Sequence, residues 1–211
     1  MTTIAEEVLL LALSEREGKQ LVGSTDLGVA LSGALLAELV IDGRVGLTDK
    51  KIAVLDPTPL GDEELDAALA RIAAEDRPHK PDRWVYKLRS AKLRGRLLTR
   101  LAERGVLGEE RSKVLGIFPR TRHPELDPSV ERAVRERVRE ALAGAATDER
   151  TAALIAVLHA AKIDRKAFPD VDRRAFKEIA EGHWAGDAVS KTIASINAAA
   201  AGGAAAAAAA T

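Results

Sequence analysis

Five basic residues crowd ten positions of this chain, Lys87, Arg89, Lys92, Arg94 and Arg96, and from Arg83 to Ala102 there is no Asp or Glu. Such a run either binds an anion through charge-assisted hydrogen bonds or forms a solvated face whose counter-charges stand elsewhere in the chain. On one helix running from about Trp84 to Arg104, Arg89, Lys92, Arg96 and Arg100 would share a stripe about 80° wide. Leu93, Leu97, Leu98 and Leu101 form the adjoining apolar arc. Arg94 precedes Leu97 by three residues, Leu98 by four and Leu101 by seven, so it occupies the first slot of the apolar template. An Arg there either snorkels out at a helix end or stands at the rim of a pocket that wants its charge.

A second candidate follows at once. The segment KVLGIFPRTRHP sets Val114, Leu115, Ile117 and Phe118 beside Lys113, Arg120 and Arg122. An apolar hairpin tip ringed by cations suits insertion into an anionic membrane surface, with Leu115, Ile117 and Phe118 as the inserting side chains. The same residues would serve equally to pack the hairpin on its own domain.

Catalytic chemistry is not indicated. There is no phosphate-cradling glycine motif, no G-x-S-x-G and no H-E-x-x-H. The four histidines, His79, His123, His159 and His183, are far apart, and none is expected to meet a second His or a carboxylate at ligand spacing. With no cysteine, disulfides and thiolate chemistry are excluded. No catalytic residue, metal ligand or cofactor is therefore assigned. Trp84 and Trp184 read as packing anchors in a chain too poor in aromatics to offer a stacking platform.

The neutral total of 32 basic and 32 acidic residues conceals blocks. Residues 1–76 carry a net −9, residues 77–122 a net +10 and residues 123–211 a net −1. The basic block either seeks an anionic partner or packs against the acidic one.

The elements that must position these residues are mainly helical. Thr3 with Glu6 forms a capping-box pattern before an apolar run, with Gly18 as the expected stop. Leu27, Leu31, Leu35 and Leu39 mark a second helix ending at Gly43. A short β-hairpin turns around Thr48–Asp49, and Asp62 caps a third helix. After the basic helix and the apolar hairpin, Asp127 and Pro128 open a further series of helices, giving roughly eight in all. Two segments repeat the order helix, strand, turn, strand, proline, which is the local shape of winged-helix DNA readers. Residues 198–211 form a low-complexity alanine-rich tail expected to fray, leaving residues 1–197 as one domain. No basic-then-apolar leader is present, so a cytoplasmic protein is expected.

With those residues in place, the chain resembles the Golgi phosphoprotein 3 family, peripheral membrane proteins that read phosphatidylinositol 4-phosphate. The resemblance is carried by EEVLLLALSEREG, GALLAELVIDGRV, LTRLAERGVL and the HP after the hairpin, in that order, and covers the chain to about Asn197. It implies a mainly α fold, a helical bundle core ringed by amphipathic helices with one or two short β-hairpins, and no enzymatic activity. The family pocket, carried over, places a Trp at Gly23 and three Arg at Ser32, Ala91 and Arg94, so one member of four is kept. Arg outnumbers Lys by 21 to 11, which points to a GC-rich bacterial source for this member. The leading expectation is a protein attached peripherally to the cytoplasmic face of a membrane through acidic head groups. Lys87, Arg89, Lys92, Arg94 and Arg96 would hold the lipid, a protein client or a second copy is a further partner, and nucleic acid is not. The alternative is a winged-helix-like DNA-binding regulator using the same basic helix.

Overall fold

Thr3 and Glu6 open the fold as their spacing predicts. In the computed structural model, which describes residues 2–14, 18–114, 118–188 and 191, the Thr3 hydroxyl accepts from the Glu6 amide at 3.3 Å and the Glu6 carboxylate accepts from the Thr3 amide at 2.9 Å. That capping box starts α1 (Ile4–Leu11), every residue of which is buried. The helix stops at Leu11, well before Gly18, and Leu13 then bridges to Gln20. Gly18 has a different task. Its φ is +56°, and a Cβ there would lie 2.2 Å from the carbonyl oxygen of His123, so only glycine lets the two segments cross.

The leucine ladder predicted from spacing becomes α2 (Ser24–Ile41), with Leu27, Leu31, Leu35 and Leu39 all buried. Its length and hydropathy would suit a membrane span, but 67% of it is buried against neighbouring helices, so it serves as the central helix of a core. A hairpin follows, β1 (Val45–Thr48) and β2 (Lys51–Val54), closed by Asp49 and Lys50, both at positive φ. Then come α3 (Glu63–Ala73), whose first amides are capped by Asp62, α4 (Pro81–Leu88) and α5 (Leu93–Glu103). The second hairpin pairs β3 (Glu110–Val114) with β4 (Phe118–Arg122). The chain continues through α6 (Pro128–Leu142), α7 (Glu149–Ala160), α8 (Asp164–Ala167) and α9 (Arg173–Ala180), with Asp127, Asp148 and Asp172 as N-caps of α6, α7 and α9. These nine helices, a further helical stretch at residues 184–188 and two hairpins stand among the described residues, a mainly α fold. The alanine-rich stretch 198–211 lies outside them.

The single basic helix is corrected. Helix α4 ends at Leu88, Arg89 is extended at φ −57° and ψ 133°, and Lys92 caps a separate α5. The reason is apolar phase. On one continuous helix the buried set Trp84, Val85 and Leu88 would point about 180° away from Leu93, Leu97, Leu98 and Leu101. Both sets are buried, so the chain must reorient between them, and Ser90, whose hydroxyl accepts from the Lys92 amide at 3.3 Å, shapes the turn.

Helices α1, α2 and α7 form the buried centre, and α3, α5, α6 and α9 each bury one face around it. That centre contains charge. Glu6, Glu7 and Glu38 are at most 6% exposed. Arg100 reaches Glu6 at 2.7 Å and Asp62 at 2.6 Å, Arg104 reaches Glu6 at 3.1 Å, and Arg137 reaches Glu7 at 2.7 Å. Arg150 pairs with Glu38, contacts Glu7 at 3.4 Å and donates to the Thr2 carbonyl at 2.7 Å. Burial pushes the Glu38 carboxyl up despite Arg150 beside it. For Arg150, burial opposes the charge, but its bond to Glu38 and the charges of Glu7 and Glu38 more than offset that. The guanidinium has three acceptors, so the ionised pair is the state the geometry supports.

Removing one partner of a buried pair strands the other, at a cost of about 3–5 kcal/mol. Arg150→Met keeps the side chain's bulk but leaves Glu38 and Glu7 without that guanidinium, and is expected to lower unfolding free energy in urea by about that amount. A loss below about 1 kcal/mol would mean that the network is not holding α1, α2 and α7 together.

Candidate functional site: an anion-accepting groove

Four cations of the basic block are engaged by acids within the protein. Lys87 pairs with Glu75 and lies over the Trp84 ring at 5.2 Å, Arg96 grips Glu64, one of its two bonds measuring 2.7 Å, and Arg100 and Arg104 belong to the buried network. Lys92 and Arg96 line a depression between α3 and α5 that they share with Glu63, Glu64 and Glu103. The acidic first third of the chain therefore supplies counter-charges for much of the basic run.

Three arginines outside this pairing converge at one groove. Arg71, at the end of α3, joins Arg89 and Arg94 around a groove of about 770 Å³, with Lys87 at its edge. Among the described residues no Asp or Glu lines this groove, and none is paired with Arg71, Arg89 or Arg94. Arg94 is half-buried, and its Nε is shielded from water with no hydrogen-bond acceptor. Burial alone holds its guanidinium below the usual arginine value. A desolvated donor without a partner is unfavourable, and an incoming anion would relieve it.

The opposite wall is the start of α2. Ser24, Thr25 and Gly28 line it, and the N-cap, Gly23, offers no side-chain hydrogen bond. The first intrahelical bond runs from Leu27 to Gly23, so the amides of Ser24, Thr25 and Asp26 have no partner within the helix. An 18-residue helix presents partial positive charge at this end. At the other end of α3 the dipole is negative, and Arg71 in its last turn offsets it.

The positions singled out by sequence are thus divided. Lys87, Arg89 and Arg94 meet at the groove with Ala91, whereas Lys92 and Arg96 face the neighbouring depression. Ser32 lies deeper in α2, fully buried, with its hydroxyl donating to the Gly28 carbonyl at 2.9 Å. Leu115 and Ile117 lie outside the described residues, and of Phe118 only the strand pairing with Val114 is described. Sequence reasoning missed Arg71 and the α2 N-terminus. The available signal was that Arg71 is the one base between Lys51 and Arg77.

The histidine expectation also needs correcting. His79 meets Glu75 at 3.2 Å and His159 meets the buried Asp164 at 2.7 Å. Each is one His on one carboxylate, and no group of three metal-ligating side chains occurs among the described residues. His123, just after β4, has its pKa pulled down by burial first and by the nearby Arg94 charge second. The groove therefore adjoins the foot of the second hairpin.

A family model described as Golgi phosphoprotein 3 (GPP34) matches residues 4–196. Vacuolar protein sorting-associated protein 74 of Eremothecium gossypii is 29% identical over 161 residues, a match covering 64% of this chain and 47% of that protein. The chain thus spans about half the length of this curated relative.

The influence of the Arg94 charge on His123 is testable by titration. His123 is depressed in the folded state, so the stability it contributes is present above the ordinary histidine value and is lost as pH falls through the depressed one. NMR titration should show the His123 pKa moving back up in Arg94→Met, with the acid loss of stability from this group shrinking accordingly. An unmoved His123 would place Arg94 elsewhere.

Proposed function

The chain belongs to the Golgi phosphoprotein 3 family, and we propose that it is a non-catalytic peripheral membrane protein that binds acidic phospholipid head groups. The observation that carries this reading is the half-buried Arg94 at a groove where, among the described residues, Arg71, Arg89 and Arg94 have no carboxylate partner. A phosphorylated inositol head group supplies what the groove lacks. Its phosphate would accept from Arg94 and Arg71, and the amides of Ser24 and Thr25 would complete the shell around it. Phosphatidylinositol 4-phosphate is the ligand proposed, at the cytoplasmic face of a membrane, with a protein client or a second copy as a further partner.

The strength expected is that of reversible attachment. Three free cations near an anionic surface contribute roughly 1 kcal/mol each, and one of them engaged in a charge-assisted bond contributes about 1.5–3 kcal/mol. The apolar tip expected of Leu115, Ile117 and Phe118 would add an inserted component. The DNA-binding alternative loses its main support because the basic run is two helices and Arg96, Arg100 and Arg104 are engaged by acids.

Flotation with phosphatidylcholine vesicles containing phosphatidylinositol 4-phosphate tests the reading, with duplex DNA as competitor. Wild-type protein should float and detach as salt rises. Arg94→Ala or Arg71→Ala should weaken binding about tenfold or more, and Lys92→Ala, outside the groove, by less than about threefold. Equal losses for all three would leave only a diffuse basic face, and release by DNA would favour the alternative.

The inserted component has its own check. Changing Ile117 and Phe118 together to Ser should weaken vesicle attachment while leaving affinity for soluble inositol phosphate intact. Normal flotation by a folded double variant would remove the wedge from the reading.

A further inference from the structure

Tyr86 is the one tyrosine of the chain, and it is 59% exposed. The helix explains how but not why. On α4 the buried residues Trp84, Val85 and Leu88 occupy an arc of about 100°, and Tyr86 projects about 150° from its centre, on the outward face. Its outward neighbours on this helix are all charged, Asp82, Arg83 and Lys87. A large ring left in water among charged side chains has no packing role. Both tryptophans, by contrast, are buried or packed against the core.

The surroundings of the ring are specific. Tyr86 lines the same groove as Arg71, Arg89 and Arg94. Because the backbone turns extended at Arg89, that residue's guanidinium folds back over the Tyr86 ring, 5.6 Å from its centre. The stacked pair stands at the groove's lip, one member apolar with a phenolic tip and the other cationic. Tyrosine with this mixture of ring and hydroxyl partitions to the boundary between head groups and acyl chains.

Resting on the head-group reading above, we propose that Tyr86 is an interfacial membrane anchor. When the groove takes a head group, the ring enters the head-group layer of the same leaflet, carrying the stacked Arg89 toward neighbouring lipid phosphates. The occupant is a lipid surface, because the exposed ring lines the same groove as Arg71, Arg89 and Arg94, whose positive charge an anionic bilayer complements. The ring thereby orients the groove toward the membrane and adds affinity that a soluble head group cannot elicit.

The experiment compares Tyr86→Ala, Tyr86→Phe and Tyr86→Trp with wild type on two probes. One is vesicles of phosphatidylcholine with phosphatidylinositol 4-phosphate, and the other is soluble inositol 1,4-bisphosphate. Tyr86→Ala should weaken vesicle binding about tenfold and leave the soluble probe within about twofold, while Tyr86→Phe retains most vesicle affinity. The Tyr86→Trp protein should show a blue-shifted emission on vesicles, quenched by lipids brominated near the top of the acyl chain, beyond any change from Trp84 and Trp184 in wild type. If Tyr86→Ala loses the same factor on both probes, the ring only positions Arg89 and the anchor is overturned. It is equally overturned if vesicle binding is unchanged or the new tryptophan is not quenched. Wild-type protein that binds neither probe would instead overturn the head-group reading itself.

Discussion

The buried carboxylates of α1 and α2 constrain everything else in this fold. Helix α1 has no exposed face, so Glu6 and Glu7 in its first turn must find cations within the protein, as must Glu38 on α2. The cations come from three helices distant in sequence: Arg100 in α5 with Arg104 just beyond its end, Arg137 in α6, and Arg150 in α7. Arg100 and Arg96 also tie α5 to Asp62 and Glu64 at the head of α3. Charged groups taken out of water demand this degree of pairing, and each guanidinium so engaged fixes the rotation of the helix that carries it.

Pinning one flank of α5 has a consequence at its other end. With Arg96 and Arg100 turned toward α3 and the four leucines turned inward, Arg94 is forced into the apolar arc, half-buried, where no acid is within reach. The unpaired cation of the groove is thus a by-product of the paired ones. The groove itself is assembled from element ends, the start of α2, the finish of α3 and the turn between α4 and α5. Ends are where backbone groups are left without helical partners, so they present directed polarity at no cost to the core. Arg71 matters here because it converts the unfavourable negative end of α3 into part of a positive wall.

Much of this was legible in the residues. The capping aspartates, the leucine ladder of α2, both hairpins and the odd position of Arg94 follow from local spacing, and local physics decides them. The break at Arg89 was also written in the sequence, as the half-turn change of apolar phase between Leu88 and Leu93, but no Gly or Pro marks it and the basic composition obscured it. Arg71 was not legible. Its role depends on where the last turn of α3 falls relative to α2, a tertiary fact that neighbouring residues do not encode. The same holds for the pairing of Arg100 with Glu6, separated by 94 residues. Charge blocks announced that acids and bases would meet, but not which cations would remain over.

Which cations remain decides the kind of recognition the protein can achieve. A free surface with a net charge of +10 would attract any polyanion over a Debye length and discriminate poorly. Here Lys87, Arg96, Arg100 and Arg104 are paired with acids from the first third of the chain, which weakens the long-range field of the block. At the groove, Arg71, Arg89 and Arg94 stand near a helix N-terminus, and their hydrogen bonds to a ligand act over bond lengths. Such a site favours a ligand that places phosphate oxygens where several donors converge. It gains less from a ligand that merely carries charge, because Arg94 is half-buried and lines the groove. Pairing along one flank of α5 and selectivity at the groove are therefore one design: the acids that engage Arg96, Arg100 and Arg104 fix the helix rotation that sets Arg94 at the groove.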